Sequence, residues 1–218
     1  MVNLITSIRE VSGFSIRKTL SWAVERGMSP EFVFDCMSEE HKVYLNNALL
    51  IDDYWIDIDL WVAFVVRVSE YFQCSVLKLG CMVNYTPMYD NIQIGLLRTL
   101  PISFLSKILT KHIVLTVNKN LLVQVLLFDK INRKIVLEYK PMNAALHRKE
   151  VCEYSMGITI AMLHWKGYCG IESIEEECVS DGAIACKHVC TWTYKAKIKY
   201  FERLWSIVTG KQIGRAHV

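Results

Sequence analysis

Cys152, Glu175, Cys178 and Cys186 are the side chains of this sequence whose types could do chemistry together. The segment from Glu175 to Cys186 reads EEECVSDGAIAC, a hairpin with a thiol on each arm. Asp181-Gly182 marks its turn, because glycine accepts the positive φ of a tight reversal. Three thiols and a carboxylate are a donor set that could complete a tetrahedral zinc shell. A closed shell keeps no open position for catalysis, so it points to a scaffold with its function elsewhere. The plain alternative is that each cysteine serves as a small buried apolar residue. Cys36, Cys74 and Cys81 read that way, and Cys169 and Cys190 read as packing residues flanking the cluster. Strand parity raises an objection to Glu175. In a flat strand it faces away from Cys178, whereas Glu176 shares the Cys178 face. A bend or bulge at Glu175 would turn it into the shell. A straight strand would leave Glu176 or a water as the fourth ligand.

The elements that must position these residues follow from periodicity. Ser15 is placed to cap a helix running to about Arg26, with Gly27 as its stop. Ser29-Pro30 opens a short helix, and a third lies around Val43 to Leu49. Asp57 or Asp59 caps a helix to about Phe72. Its apolar positions, Leu60, Trp61, Phe64, Val65 and Val68, are too continuous for a lightly buried face. Glycines and prolines between residues 75 and 110 divide that stretch into short helices. Residues 112 to 117, 121 to 128 and 135 to 139 read as a three-strand meander. A helix from about Ala144 to Leu163 carries Cys152, and strands near 171 to 178 and 184 to 194 form the last hairpin. The fold class is α+β, a helical first half followed by an antiparallel sheet of about five strands.

Composition narrows the function classes. The chain has 218 residues, 52% hydrophobic, with a net charge of only +3. That is enough apolar material for one substantial core, and no nucleic-acid partner is indicated. The longest apolar run, Leu60 to Val66, is too short to span a bilayer, and no secretory leader opens the chain. Eight cysteines without a leader favour reduced thiols and a cytoplasmic location.

Beyond residue 193 the character changes. Tyr194, Ile198, Phe201, Trp205 and Val208 recur in steps of four and three, the seam of a pairing helix. The alternative is a helix packed on its own domain. Residues 212 to 218, QIGRAHV, match what a common sequencing adapter encodes in one frame. The expected organisation is a sensory domain over 1–193, the start of a signalling helix over 194–211, and an artefactual tail over 212–218. The natural protein is then expected to continue past residue 211.

Cys152, Gly157, Glu175-x-x-Cys178, Asp181-Gly182, Cys186 and Trp192 together resemble the 4-vinyl reductase-type domain. Such domains occur in bacteriochlorophyll biosynthesis, in aromatic-responsive transcription activators and ahead of bacterial histidine kinases and cyclases. The match spans roughly 145–193. The resemblance implies zinc held by Cys152, Glu175, Cys178 and Cys186, and it favours Glu175 over Glu176. It also implies a fold similar to trafficking-complex subunits with a hydrophobic ligand channel. In the phenol sensors a His and a Trp hold the ligand hydroxyl. His112, His147 and Trp165 are candidates for that role by type alone. Gln124, one amide in an apolar strand, is a further candidate, although a local hydrogen bond or exposure explains it more simply.

The expected function is a sensory input domain that binds a small apolar or aromatic molecule, with a homodimer through the C-terminal helix and no membrane or nucleic-acid partner. A tetrapyrrole vinyl reductase-like enzyme is the alternative. It rests on the resemblance alone, since the sequence has no dinucleotide fingerprint. A protein-interaction adaptor is a third reading.

Overall fold

The computed structural model describes residues 10–35, 37–51, 53–85, 101, 104 and 118–195. Ser12 caps helix α1 (Gly13–Val24), its hydroxyl accepting from Phe14 N–H at 3.2 Å. The cap therefore lies three residues before the expected Ser15, which is buried inside the helix. Ile16, Leu20 and Ala23 recur on one face of α1 and are buried, as a 3.6-residue period requires. Gly27 ends the turn at φ +92°. Helix α2 (Glu31–Phe34) follows Pro30, and α3 (Glu39–Leu50) is capped by Ser38.

Asp57 caps α4 (Ile58–Tyr71) by accepting from Asp59 N–H at 2.7 Å. Leu60, Trp61, Phe64, Val65 and Val68 are all buried, which makes α4 the central helix that its sequence implied. Helix α5 (Val76–Tyr85) crosses α6 (Lys149–Trp165) at backbone contact. A Cβ on Gly157 would lie 2.3 Å from Leu77 O, and one on Gly80 would lie 2.5 Å from Tyr154 O. Two glycines, one on each helix, make that approach possible. Among the described residues no single helix is long and apolar enough to cross a membrane.

Two short strands, β1 (Val11–Ser12) and β2 (Trp55–Ile56), pair beside the helices. The main described sheet has four antiparallel strands in the order β3 (Leu121–Asp129), β4 (Lys134–Pro141), β7 (Cys186–Thr191), β6 (Glu172–Glu177). Its inner face carries Val123, Ile135, Leu137, Tyr139, Cys186, His188 and Cys190, all buried. Helix α6 lies over that face. Tyr139 and Thr159 share a 2.7 Å hydroxyl hydrogen bond, and Cys190 Sγ is 3.6 Å from Met156 Sδ. Strands β5 (Tyr168–Cys169) and β8 (Tyr194–Lys195) form a separate pair.

The α+β class with a helical first half and antiparallel sheets matches the expectation. Tyr194 departs from it. It is paired in β8 opposite Cys169, so it does not begin a helix. Ile198, Phe201, Trp205 and Val208 lie outside the described residues, as do the strand expected at 112–117 and His112.

Candidate functional site

Helix α6 brings Cys152 to the sheet, and the β6–β7 hairpin brings the other two thiols to meet it. Cys152 Sγ is 3.2 Å from Cys186 Sγ, and Cys186 Sγ is 3.5 Å from Cys178 Sγ. All three cysteines are buried. The turn between Cys178 and Cys186 is a 3-10 turn over Val179–Asp181, closed by Gly182 at φ +95°. The Asp-Gly signal was therefore a correct guide to the reversal.

The β6–β7 register shifts between Glu175 and Glu177, so Glu176 is the extra residue of a bulge. This resolves the parity conflict in favour of Glu175. Its carboxylate lies within 4.8 Å of both Cys178 and Cys186. Glu176 instead pairs with Lys187 at 3.0 Å.

The donors do not form one four-membered shell. They form two overlapping triads that share Cys186, one with Glu175 and Cys178 and one with His147 and Cys152. His147 bridges the triads. Its Nδ1 is 3.9 Å from Cys152 Sγ, and its Nε2 is 3.9 Å from Cys178 Sγ and 3.8 Å from Cys186 Sγ. The sequence suggested His147 as a ligand-hydroxyl anchor, but the fold sets it against sulfur.

Proton positions follow from this packing. Cys186 receives hydrogen bonds from Cys152 and from Val179 N–H, which hold its thiol down to about 7. Cys152, the donor in that contact, is pushed up by the same bond and by burial. Burial raises Cys178 to about 11. The cluster thus draws the Cys186 thiol down while it pushes Cys152 and Cys178 up. Beside it Glu175 faces His188 at 3.3 Å, and the His188 ring packs edge-on against Tyr139. Burial lowers the His188 pKa, opposed by the Glu175 charge. Replacing Cys152 with Ala removes a buried donor and leaves a void. Urea denaturation is expected to show a loss of about 2 kcal/mol.

The remaining candidates are scattered. Gln124 is exposed on the outer face of β3, opposite Glu138 in the register, and so points away from the core. Trp165 is half-buried at the end of α6, its Nε1–H donating to Tyr85 O at 3.2 Å. That contact lies next to a second feature which the sequence did not single out. A cavity of about 400 Å³ opens where α1, α5 and α6 end together. Trp22, Arg26, Cys81, Met82, Tyr85 and His164 line it. The i, i+4 spacing of Trp22 and Arg26 was legible, but only the helix crossing shows that it faces a space.

No protein-family model matches the chain, and no curated protein does. Solved structures that it resembles are H-NOX proteins. One is an Fe(II) unliganded H-NOX protein from K. algicida, with a TM-score of 0.56 and 17% identity over 86% of this chain and 100% of that one. Another is an oxygen-binding H-NOX domain related to soluble guanylate cyclases, with a TM-score of 0.51 and 15% identity over 86% and 98%. A third match, from work on heme distortion in the H-NOX family, has a TM-score of 0.54 and 13% identity over 85% and 97%. At such identities the likeness is one of fold.

These matches overturn the resemblance to the 4-vinyl reductase-type domain. The zinc assignment depended on that resemblance and falls with it, since the matched proteins are described by Fe(II) and heme. The physical reason for the error is clear. Three thiols and a carboxylate on a helix and hairpin are a local pattern, and a local pattern does not identify the fold around it.

Proposed function

We propose that this chain is a small-molecule-binding sensory domain, with the ligand held in the helical half and the sheet relaying its presence. The observation that carries the reading is the end-to-end likeness to H-NOX proteins, which cover nearly their whole length on this chain. The cavity at the joint ends of α1, α5 and α6 supports it further. At about 400 Å³ it falls in the range of small-ligand sites.

Haem is the group that the fold suggests, and the described residues do not suit it. Haem iron takes an axial donor from His, Cys, Met or Tyr. The buried tyrosine, histidine and cysteine donors beside the sheet lie against one another, although His188 Nε2 has no hydrogen-bond partner among the described residues. Tyr139 bonds Thr159, His188 faces Glu175, and Cys152, Cys178 and Cys186 enclose His147. The α5–α6 crossing is closed at backbone contact, and Trp61 meets Tyr154 edge-on at 5.1 Å between α4 and α6. The described helices are thus closely packed at both places. We therefore read the ligand as a smaller organic molecule.

Ligand binding can shift the domain between two arrangements only by its differential affinity for them. The α6–sheet contact is the natural element to carry that shift. A second copy of the chain, pairing through Phe201 and Trp205, would receive it. The enzyme alternative has lost its basis with the family resemblance. Cys178 and Cys186 are also only 3% and 0% exposed, so a substrate could not reach either sulfur without local opening.

The test combines thermal melting with absorbance. A panel of small aromatic and aliphatic compounds is expected to contain members that raise Tm by several degrees. Added hemin is expected to give no stoichiometric shift of its absorption band. A saturable shift at one hemin per chain would overturn the haem-independent reading, and a panel without any stabiliser would overturn the sensor reading. Light scattering of the 218-residue chain is expected to show weak dimerisation that Trp205→Asp abolishes.

A further inference from the structure

We propose that the cavity between the ends of α1, α5 and α6 is a site for a small aromatic carboxylate of one or two rings, anchored by Arg26. This deepens the sensor reading and rests on it. Three observations carry it.

The first is the chemistry of the lining. Trp22, Met82 and Tyr85 offer aromatic and thioether surface, while Arg26 and His164 supply nitrogen donors. Among the described lining residues Arg26 and His164 bring nitrogen donors and none is a carboxylate, a balance that favours an anion. Arg26 is the group suited to it, because a guanidinium pairs with a carboxylate through two parallel N–H donors.

The second is that the walls are held in place before any ligand arrives. The Arg26 guanidinium lies 4.5 Å over the Trp22 ring, and its Nη1 donates to Trp22 O at 3.0 Å. Trp22 is itself fixed edge-on against Phe72 at 4.9 Å. On the opposite wall Tyr85 meets the His164 ring edge-on at 5.8 Å, and Trp165 holds Tyr85 O at 3.2 Å. A site that is organised beforehand spends less of its binding energy on ordering side chains.

The third is position. The cavity draws on α5 and α6, the two helices locked at Gly80 and Gly157, and α6 carries Cys152 to the sheet. A ligand bound between the helix ends thus touches the element that reaches the sheet. The competitor for Arg26 is Glu25, whose carboxylate is 3.7 Å away and largely exposed. Such exposed pairs are weak and are displaced by a better-placed partner.

Isothermal calorimetry on the whole chain tests the site with indole-3-acetate, benzoate and neutral indole as probes. Indole-3-acetate is expected to bind with submillimolar Kd, at least tenfold tighter than indole. Arg26→Gln is expected to erase that preference and leave both near the indole value. Met82→Trp, which fills the cavity without altering Arg26, is expected to abolish binding of all three, and its melting curve reports whether it folds. Equal affinity of indole-3-acetate for the wild type and Arg26→Gln would sink the proposal, as would no heat at millimolar probe. Its failure is separable from that of the sensor reading. Compounds that raise Tm equally in the wild type and in Met82→Trp would keep the sensor and move its ligand elsewhere.

Discussion

Glu10→Gln is expected to stabilise the domain by about 2 kcal/mol at pH 8 and to leave it unchanged at pH 4. Glu10 is 3% exposed, and neither carboxylate oxygen has a hydrogen-bond partner among the described residues. Its backbone is fully engaged, Glu10 N–H donating to Ile56 O and Glu10 O accepting from Lys119 N–H. Burial raises its pKa from 4.5 to about 7, with the Asp57 and Asp59 charges adding to the rise and Arg148 opposing it. The folded state thus binds the proton more tightly than the unfolded chain. Below about pH 4.5 both states are protonated and the carboxyl costs nothing by ionisation. The cost grows as the pH rises and is complete above about 7. A shift of that size sets a ceiling of roughly 3 kcal/mol on the difference between the two pH values, since the Gln amide weighs equally at both. Urea denaturation at the two pH values measures the effect. Equal destabilisation at both would show that Glu10 reaches water or a partner in the folded protein.

The largest loss is expected from Gly157→Ala. The added Cβ would lie 2.3 Å from Leu77 O and 2.5 Å from Cys81 N. Both atoms are helix backbone, so no rotamer change relieves the overlap and α5 must move away from α6. Overpacking of this kind costs about 3 kcal/mol. Gly27→Ala is the contrasting control. It has nothing within 4 Å of its Cβ, only an unfavourable φ of +92°. Its expected cost is about 1 kcal/mol. Denaturant midpoints of the two variants should differ clearly, and similar midpoints would mean that the two helices are less tightly crossed.

Much of the local structure was legible because it depends on local chemistry. Asp57 as a cap, Gly27 as a stop, Asp181-Gly182 as a turn and the buried face of α4 each follow from side chains within a few positions of one another. Cys152, Cys178 and Cys186 lie on the helix and the hairpin that the sequence placed, but the zinc shell expected of them is overturned by the H-NOX matches. The bulge at Glu176 was open in the sequence, because either parity of β6 satisfies the local pattern. His147 was assigned to the wrong partner for a similar reason. Its place beside the sulfurs depends on how the turn before α6 meets the hairpin, some 30 residues further along the chain. Tyr194 fits a heptad by spacing alone, but its pairing with Cys169 ends the pattern at that residue.

By itself, the sequence determined the α+β class and most of the order of the main helices and strands. Those properties depend on periodicity and on turn residues, which act over one or two turns of chain. Only the tertiary structure decided that the fold is H-NOX-like, that Glu10 is enclosed, and that Trp22, Arg26, Met82, Tyr85 and His164 surround one space. Each of these depends on contacts between segments far apart in sequence, where the approach of two backbones, and not the character of either segment, sets what is near.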